Sequence, residues 1–473
     1  MKRRKYLLAC LLAGVTIAMP AGQLSFAAGA QNDISLMAES ESQRETQSES
    51  QSESETQSES QSESQSESES QSESESQSES ESQSESESQS ESESEKESET
   101  ETQDPNVPEG YKGIYKVSDL SLLSSKPDGK YMLMADLDLN SAEQTSISVF
   151  RGTLDGNNHT IKGLKQALFQ VLEEGTVSNL NLSGVQISGS GDAGALANVI
   201  GTGKKSAVTI QNITITGSVT GTGNTGSLAG VLKGTDVVIS RIANSATVAG
   251  TANAGGLIGL VQATDDQEGA ASVKLTESYN IGEVSAVTAG GLIGAAEIPN
   301  LAAARNIEIA NCYNAGVLEK GANIVAKITA GNGQVVINKC VGIQFYYSVA
   351  SGMVGTSTMA AGSTQTSGCS ISNSYYYSMN PVYAFETGNC ITGTATALND
   401  VQIKTQSYFK DFDFDGIWAL NAAENGGYPY LKQTTMLPVS YVAPTAGTVL
   451  MDSKTGGKYL VSTRSKAVSY AGV

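Results

Sequence analysis

Apolar and polar positions alternate in short runs along most of this chain, and the runs restart about every thirty residues. The clearest restart is a glycine-flanked apolar phrase: Gly194-Ala195-Leu196-Ala197-Asn198, Gly226-Ser227-Leu228-Ala229-Gly230, Gly255-Gly256-Leu257-Ile258-Gly259 and Gly290-Gly291-Leu292-Ile293-Gly294. Weaker copies are Asn323-Ile324-Val325 and Gly352-Met353-Val354-Gly355. Its apolar centre falls at Leu196, Leu228, Leu257, Leu292, Ile324 and Met353, in steps of 32, 29, 35, 32 and 29 residues. A repeat of this size means stacked copies of one unit too small to bury its own core.

A second anchor keeps time with the first. An apolar residue stands two places before a mostly polar one at Val177/Asn179, Ile210/Asn212, Ile242/Asn244, Leu275/Glu277, Ile309/Asn311, Ile337/Lys339 and Ile371/Asn373. Between anchors the apolar residues alternate, as in Val208 and Ile210, then Ile213 and Ile215. Period two with a phase slip at the Asn predicts short strands meeting at a corner. No capped apolar stripe of helical period occurs between Gly194 and Lys339. An antiparallel sandwich is the competing architecture, but a sandwich needs no fixed thirty-residue repeat. The pattern therefore predicts an all-β, right-handed parallel β-helix of about seven coils, each pairing with the next across ~4.8 Å. The six apolar centres would form its inward ladder. Ser118 to Leu123, ended by Pro127, reads as a capped helical turn that closes the N-terminal end.

Composition divides the rest. Residues 1–30 read as a signal peptide, with Lys2 to Lys5 ahead of an apolar run from Leu7 to Ala18. Leu7-Leu8-Ala9-Cys10 imitates a lipoprotein box, but the apolar run continues past Cys10. No second apolar stretch is long enough to span a membrane. Within the linker 31–104, residues 39–103 contain no aliphatic or aromatic residue, and 22 Glu face only Arg44 and Lys96. Such a segment buries nothing to offset its chain entropy and is expected to stay disordered, as a stalk. It carries a net −20 of the chain's −21, so 104–473 is close to neutral and offers no electrostatic footprint for nucleic acid. The expected order is then cap and first coil over 105–176, β-helix over 177–432, and a linker with the start of a further β domain over 433–473.

Particular phrases carry a family resemblance. Phe150-Arg151-Gly152-Thr153-Leu154-Asp155-Gly156-Asn157-Asn158-His159-Thr160-Ile161 resembles the opening of bacterial GLUG-repeat surface proteins. Ala135-Asp136-Leu137-Asp138-Leu139 is similar to the strand before it, and Ser278-Tyr279-Asn280 and Cys312-Tyr313-Asn314 to the family's repeats. Phe412 to Trp418 and Gly426 to Leu431 match its end. Weak copies near 324 and 339 and the insertion Asp265-Asp266-Gln267-Glu268 depart from the pattern. The resemblance implies a secreted or surface-displayed β-helix like the non-catalytic N-terminal region of IgA-specific metallo-endopeptidases. Gly456-Gly457-Lys458-Tyr459-Leu460-Val461 and then Ala467-Val468-Ser469-Tyr470 read as the first hairpin of another β domain, and in similar proteins such a phrase leads into leucine-rich repeats, which would make this chain a truncated product.

Candidate chemistry is sparse. A zinc peptidase site of the His-Glu-x-x-His type needs two histidines, and this chain has only His159. Polysaccharide lyases and hydrolases need gathered carboxylates. Asp265-Asp266 is the one close pair in the coils, and Asp136 and Asp138 could meet Asp155 across neighbouring coils. No cofactor or metal site is expected. Cys312, Cys340 and Cys369 are spaced by 28 and 29 residues and would lie over one another, as a Cys312–Cys340 disulfide or as stacked thiols. Phe345-Tyr346-Tyr347 recurs as Tyr375-Tyr376-Tyr377, so Tyr346, Tyr347, Tyr376 and Tyr377 are candidate ligand-facing aromatics, against a role in capping the core. The sequence thus predicts a monomeric extracellular module for display, or for adhesion to a host or neighbouring glycan or protein. A carbohydrate-active enzyme is the alternative.

Overall fold

A computed structural model describes residues 104–202, 206–234, 236–262, 271–300, 304–318, 320–343, 349–377 and 390–434, together with three short strands beyond. The signal peptide, the Ser-Glu-Gln linker, Asp265-Asp266, Tyr346 and Tyr347 lie outside the described residues.

The chain is a parallel β-helix. Ten successive parallel pairings run along its long face, from Lys112–Ile114 through Lys130–Leu133 and onward to Ile391–Gly393. A second face stacks eight strands from Ile147–Phe150 to Val354–Met359, and a third stacks five from Thr225–Gly226 to Val349–Ser351. Register follows the alternation. Val177, Ile210, Ile239, Leu275, Ile309, Ile337 and Ile371 stand over one another and point inward, each at most 2% exposed.

Two residues after each of these comes the corner. Asn179, Asn212, Arg241, Glu277, Asn311, Lys339 and Asn373 all take φ between 43° and 56°. This left-handed bend flips the side-chain alternation, which is the phase slip seen in the pattern. Asn tolerates it best among residues with a side chain, because its short amide bonds locally. The amides also stack: Asn212 Nδ2 donates to Asn179 Oδ1 (2.8 Å), and Asn179 Nδ2 to Asp155 Oδ1 (3.0 Å). One anchor needs correction. Arg241, not Asn244, turns the third corner, and Ile239 rather than Ile242 occupies the inward row. An Asn close by had drawn the reading three residues along, because nothing in an Arg announces a left-handed bend. Lys339→Asn should therefore stabilise the protein by about 0.5–1 kcal/mol, read as a higher denaturant midpoint.

A 3-10 turn (Val117–Leu120) and a short helix (Ser121–Ser125) lie at the N-terminal end. Leu123 is fully buried, and the Tyr131 hydroxyl donates to the carbonyls of Leu122 and Lys126. This segment packs on Ile147–Phe150, the first strand of the second face, which otherwise exposes an unpaired edge.

The other end folds back on the outside. Residues 399–434 form a strap that returns along the corner row toward earlier coils. Asn373 Nδ2 donates to Asp411 (3.2 Å), Trp418 Nε1 to Asn311 Oδ1 (3.2 Å) and Thr434 Oγ1 to the Glu277 carbonyl (2.9 Å). The strap covers an outward row in register, Tyr279, Tyr313, Val341 and Tyr375, and forms with it a second apolar core. Val449–Met451, Lys458–Val461 and Val468–Tyr470 form an antiparallel three-stranded sheet. No helix among the described residues is long and apolar enough to cross a membrane.

Candidate functional site

The repeating phrase lies at the centre of the stack. Leu196, Leu228, Leu257, Leu292, Ile324 and Met353 are all fully buried. The backbone N–H of each of the first five donates to the carbonyl of the next, at 2.9–3.2 Å. The second glycine has a specific cause. A Cβ on Gly256 would lie 2.5 Å from Asn280 Cγ, and one on Gly291 would strike Asn314.

Those asparagines form a buried ladder that the sequence reading missed. Asn244 Nδ2 donates to Asn280 Oδ1 (2.7 Å), Asn280 Nδ2 to Asn314 Oδ1 (2.9 Å), and Asn314 Nδ2 to Asn323 Oδ1 (3.2 Å). The Tyr-Asn pairing of the repeats carries the signal. Adjacent strand residues face opposite ways, so Tyr279 and Tyr313 stack outside at 4.8 Å while Asn280 and Asn314 go inside.

The carboxylates do not converge. Asp136 Oδ1 accepts from Thr160 N (2.8 Å) and faces His159 Nδ1 (3.1 Å). Asp138 Oδ1 accepts from Asn140 N, and Asp155 Oδ1 from Asn157 N. Hydrogen bonds from the backbone, foremost that of Thr160, hold Asp136 below the usual carboxylate range, and that of Asn140 does the same for Asp138. Asp138 and Asp155 each serve a turn, and Asp136 ties its strand to the next coil. Among the described residues no group of three His, Cys, Asp or Glu is placed to share a metal ion.

Cys312 and Cys340 occupy equivalent places on adjacent strands, next to the paired Tyr313 and Val341. Both are buried thiols, and burial first, then the contact with Cys340, pushes Cys312 well up. Cys369 does not continue that column: it registers with Val335, four residues before the corner, so the three cysteines do not lie over one another.

Tyr376 and Tyr377 are 4% and 7% exposed and form no open platform. Tyr376 points into the solenoid core, while Tyr377 packs against Tyr428 under the strap. Burial first, then Asp400, pushes the Tyr377 hydroxyl up to about 12. An acid raised above its unfolded value of about 10 adds stability that is complete below pH ~10 and fades as pH rises through ~12. The denaturant midpoint should accordingly fall between pH ~9 and ~12, and Tyr377→Phe should flatten that fall.

Arg305 was also missed. Its side chain is fully buried and reaches two coils back, where Nη2 donates to the Lys233 carbonyl (3.1 Å). Burial lowers it to about 10, which leaves it cationic at neutral pH.

Among the described residues a groove of about 470 Å³ lies beside the long face. Its floor is Asn306 and Gln334, which face each other across adjacent strands. Their neighbours Ile307 and Val335 point inward and are fully buried, so alternation turns both amides outward. Asn332, Gly333 and residues 364–367 form the wall. A second cavity of about 270 Å³ lies behind the N-terminal helix. Its polar groups are already committed: Gln144 donates to the carbonyls of Leu139 and Gly163, and Ser146 to that of Ala167.

Residues 108–217 match the model of the M26 IgA1-specific metallo-endopeptidase N-terminal region. This segment is similar to the N-terminal region of that family, not to its peptidase part. Immunoglobulin A1 proteases of Streptococcus pneumoniae R6 and Streptococcus sanguinis are each 34% identical to this chain over 116 residues, 22% of its length. The matched stretch spans 6% of the length of those relatives. A crystal structure of a Bacteroides ovatus chain, provisionally assigned as an immunoglobulin A1 protease, covers 68% of this chain and 91% of its own, at 19% identity and a TM-score of 0.41.

Proposed function

We propose that this chain is an extracellular, non-catalytic β-helix module for display or adhesion at a bacterial surface. The match of 108–217 to the N-terminal region of a secreted-type peptidase family, outside its catalytic part, is the observation that carries the reading. The disposition of the acids supports it, since Asp136, Asp138 and Asp155 bond backbone amides rather than one another. Host or neighbouring glycans and proteins would be its partners there.

Beads coated with the full chain test this directly. They should adhere to mucus-bearing epithelial cells or to neighbouring bacteria, while the soluble chain leaves uronic-acid polymers uncut. Turnover of such a polymer that disappears when Asp265 and Asp266 are replaced would overturn the reading in favour of a carbohydrate-active enzyme.

A further inference from the structure

We infer that the groove formed by Asn306, Gln334 and Gln365 is a binding site for a neutral oligosaccharide. This rests on the reading of the chain as an extracellular binding module and names the ligand class. The groove holds about 470 Å³ and is lined by amides, hydroxyls and one glycine, with no charged, aromatic or aliphatic side chain. A phosphate or carboxylate ligand would find no counter-ion there, and nucleic acid needs cations at its backbone. A lipid or apolar peptide would bury nothing of its own kind. An amide offers two donors and an acceptor, and a sugar hydroxyl both donates and accepts. Neutral, hydroxyl-rich chemistry is what matches this lining.

Two further observations support a built site. The side chains of Asn306, Gln334 and Gln365 make no hydrogen bond within the described residues, unlike Gln144 in the cavity behind the helix. Asn306 and Gln334 are also fixed on rigid strands in register. Their spacing is set by the interstrand distance of ~4.8 Å. A glycan chain laid along the stack would present about one sugar unit to each strand. The wall at 364–367 is held in turn, since Ser363 Oγ donates to the Gly331 carbonyl (2.8 Å) and Ser367 Oγ to that of Cys369 (3.2 Å).

The test is a printed array carrying hexose and N-acetylhexosamine oligomers beside uronate-, sialate- and sulfate-bearing glycans, probed with the labelled full chain. The neutral member that binds best is then titrated calorimetrically. Asn306→Ala/Gln334→Ala should weaken binding about tenfold or more with an unchanged melting temperature. Thr176→Ala/Thr209→Ala, a matched pair in earlier coils of the same face, should bind like the parent. Binding confined to acidic glycans, binding to no glycan, or full affinity in the Asn306/Gln334 variant would each overturn the inference. If coated beads still adhere to cells and the Asn306/Gln334 variant adheres equally well, the groove assignment fails while the surface module stands. Cleavage of the bound glycan would instead overturn the non-catalytic reading.

Discussion

Replacing Asn280 by Leu is expected to destabilise the β-helix by about 3–5 kcal/mol, centred on the coils between Asn244 and Gly316. Every hydrogen-bonding capacity of this buried amide is used. Nδ2 donates to the Gly282 carbonyl and to Asn314 Oδ1, both at 2.9 Å. Oδ1 accepts from Gly282 N (3.0 Å) and from Asn244 Nδ2 (2.7 Å). A leucine would leave those groups buried without their partner, and its branch would meet Gly256, which has space only for the amide. Each orphaned group costs about 1–3 kcal/mol, more than the added apolar contact returns. Because each coil touches only its neighbours, the damage should be local. Native-state hydrogen exchange should show faster amides over 236–316 and unchanged ones near Val177. A variant with the parent's denaturant midpoint would mean that the ladder is not a structural element.

Trp418→Ala should cost about 3–5 kcal/mol and loosen the strap from the corner row. Trp418 is the chain's one tryptophan and is fully buried. Its ring lies 4.9 Å from that of Phe412 and 6.2 Å from that of Tyr313. Its indole N–H also holds the left-handed corner residue Asn311. Without it, Tyr279, Tyr313 and Tyr375 would face water as an apolar row. Limited proteolysis should then cut within 399–434 at a protease concentration that leaves the parent intact, while the coils before Arg241 remain protected. Equal protease resistance would show that the strap does not depend on this anchor.

What the sequence disclosed followed from how local each cause is. Asn179, Asn212, Asn311 and Asn373 mark corners because Asn prefers the bend they make, and Leu196 to Met353 mark the core because alternation fixes their face. Arg241 escaped notice because its bend is imposed by neighbouring coils against its own preference. The buried ladder escaped for a related reason: Asn280 is polar, and only its partners at 244 and 314 make burial tolerable. Tyr376 and Tyr377 were seen as a row, but what encloses the outward tyrosines comes from 399–434, far along the chain. The groove gave no signal, since Asn306, Gln334 and Gln365 become a set only when folding joins two coils and a loop.

The most direct test of the account is whether this chain binds without turning over. The full chain should be incubated with the neutral oligosaccharide it retains from the array, at a chain excess that saturates the sugar. After prolonged incubation the sugar is released by heat and read by mass spectrometry. The account predicts quantitative recovery of the intact oligosaccharide, and loss of retention in the Asn306→Ala/Gln334→Ala variant. A shortened or unsaturated product, formed by the parent chain and not by the heat-denatured one, would contradict it.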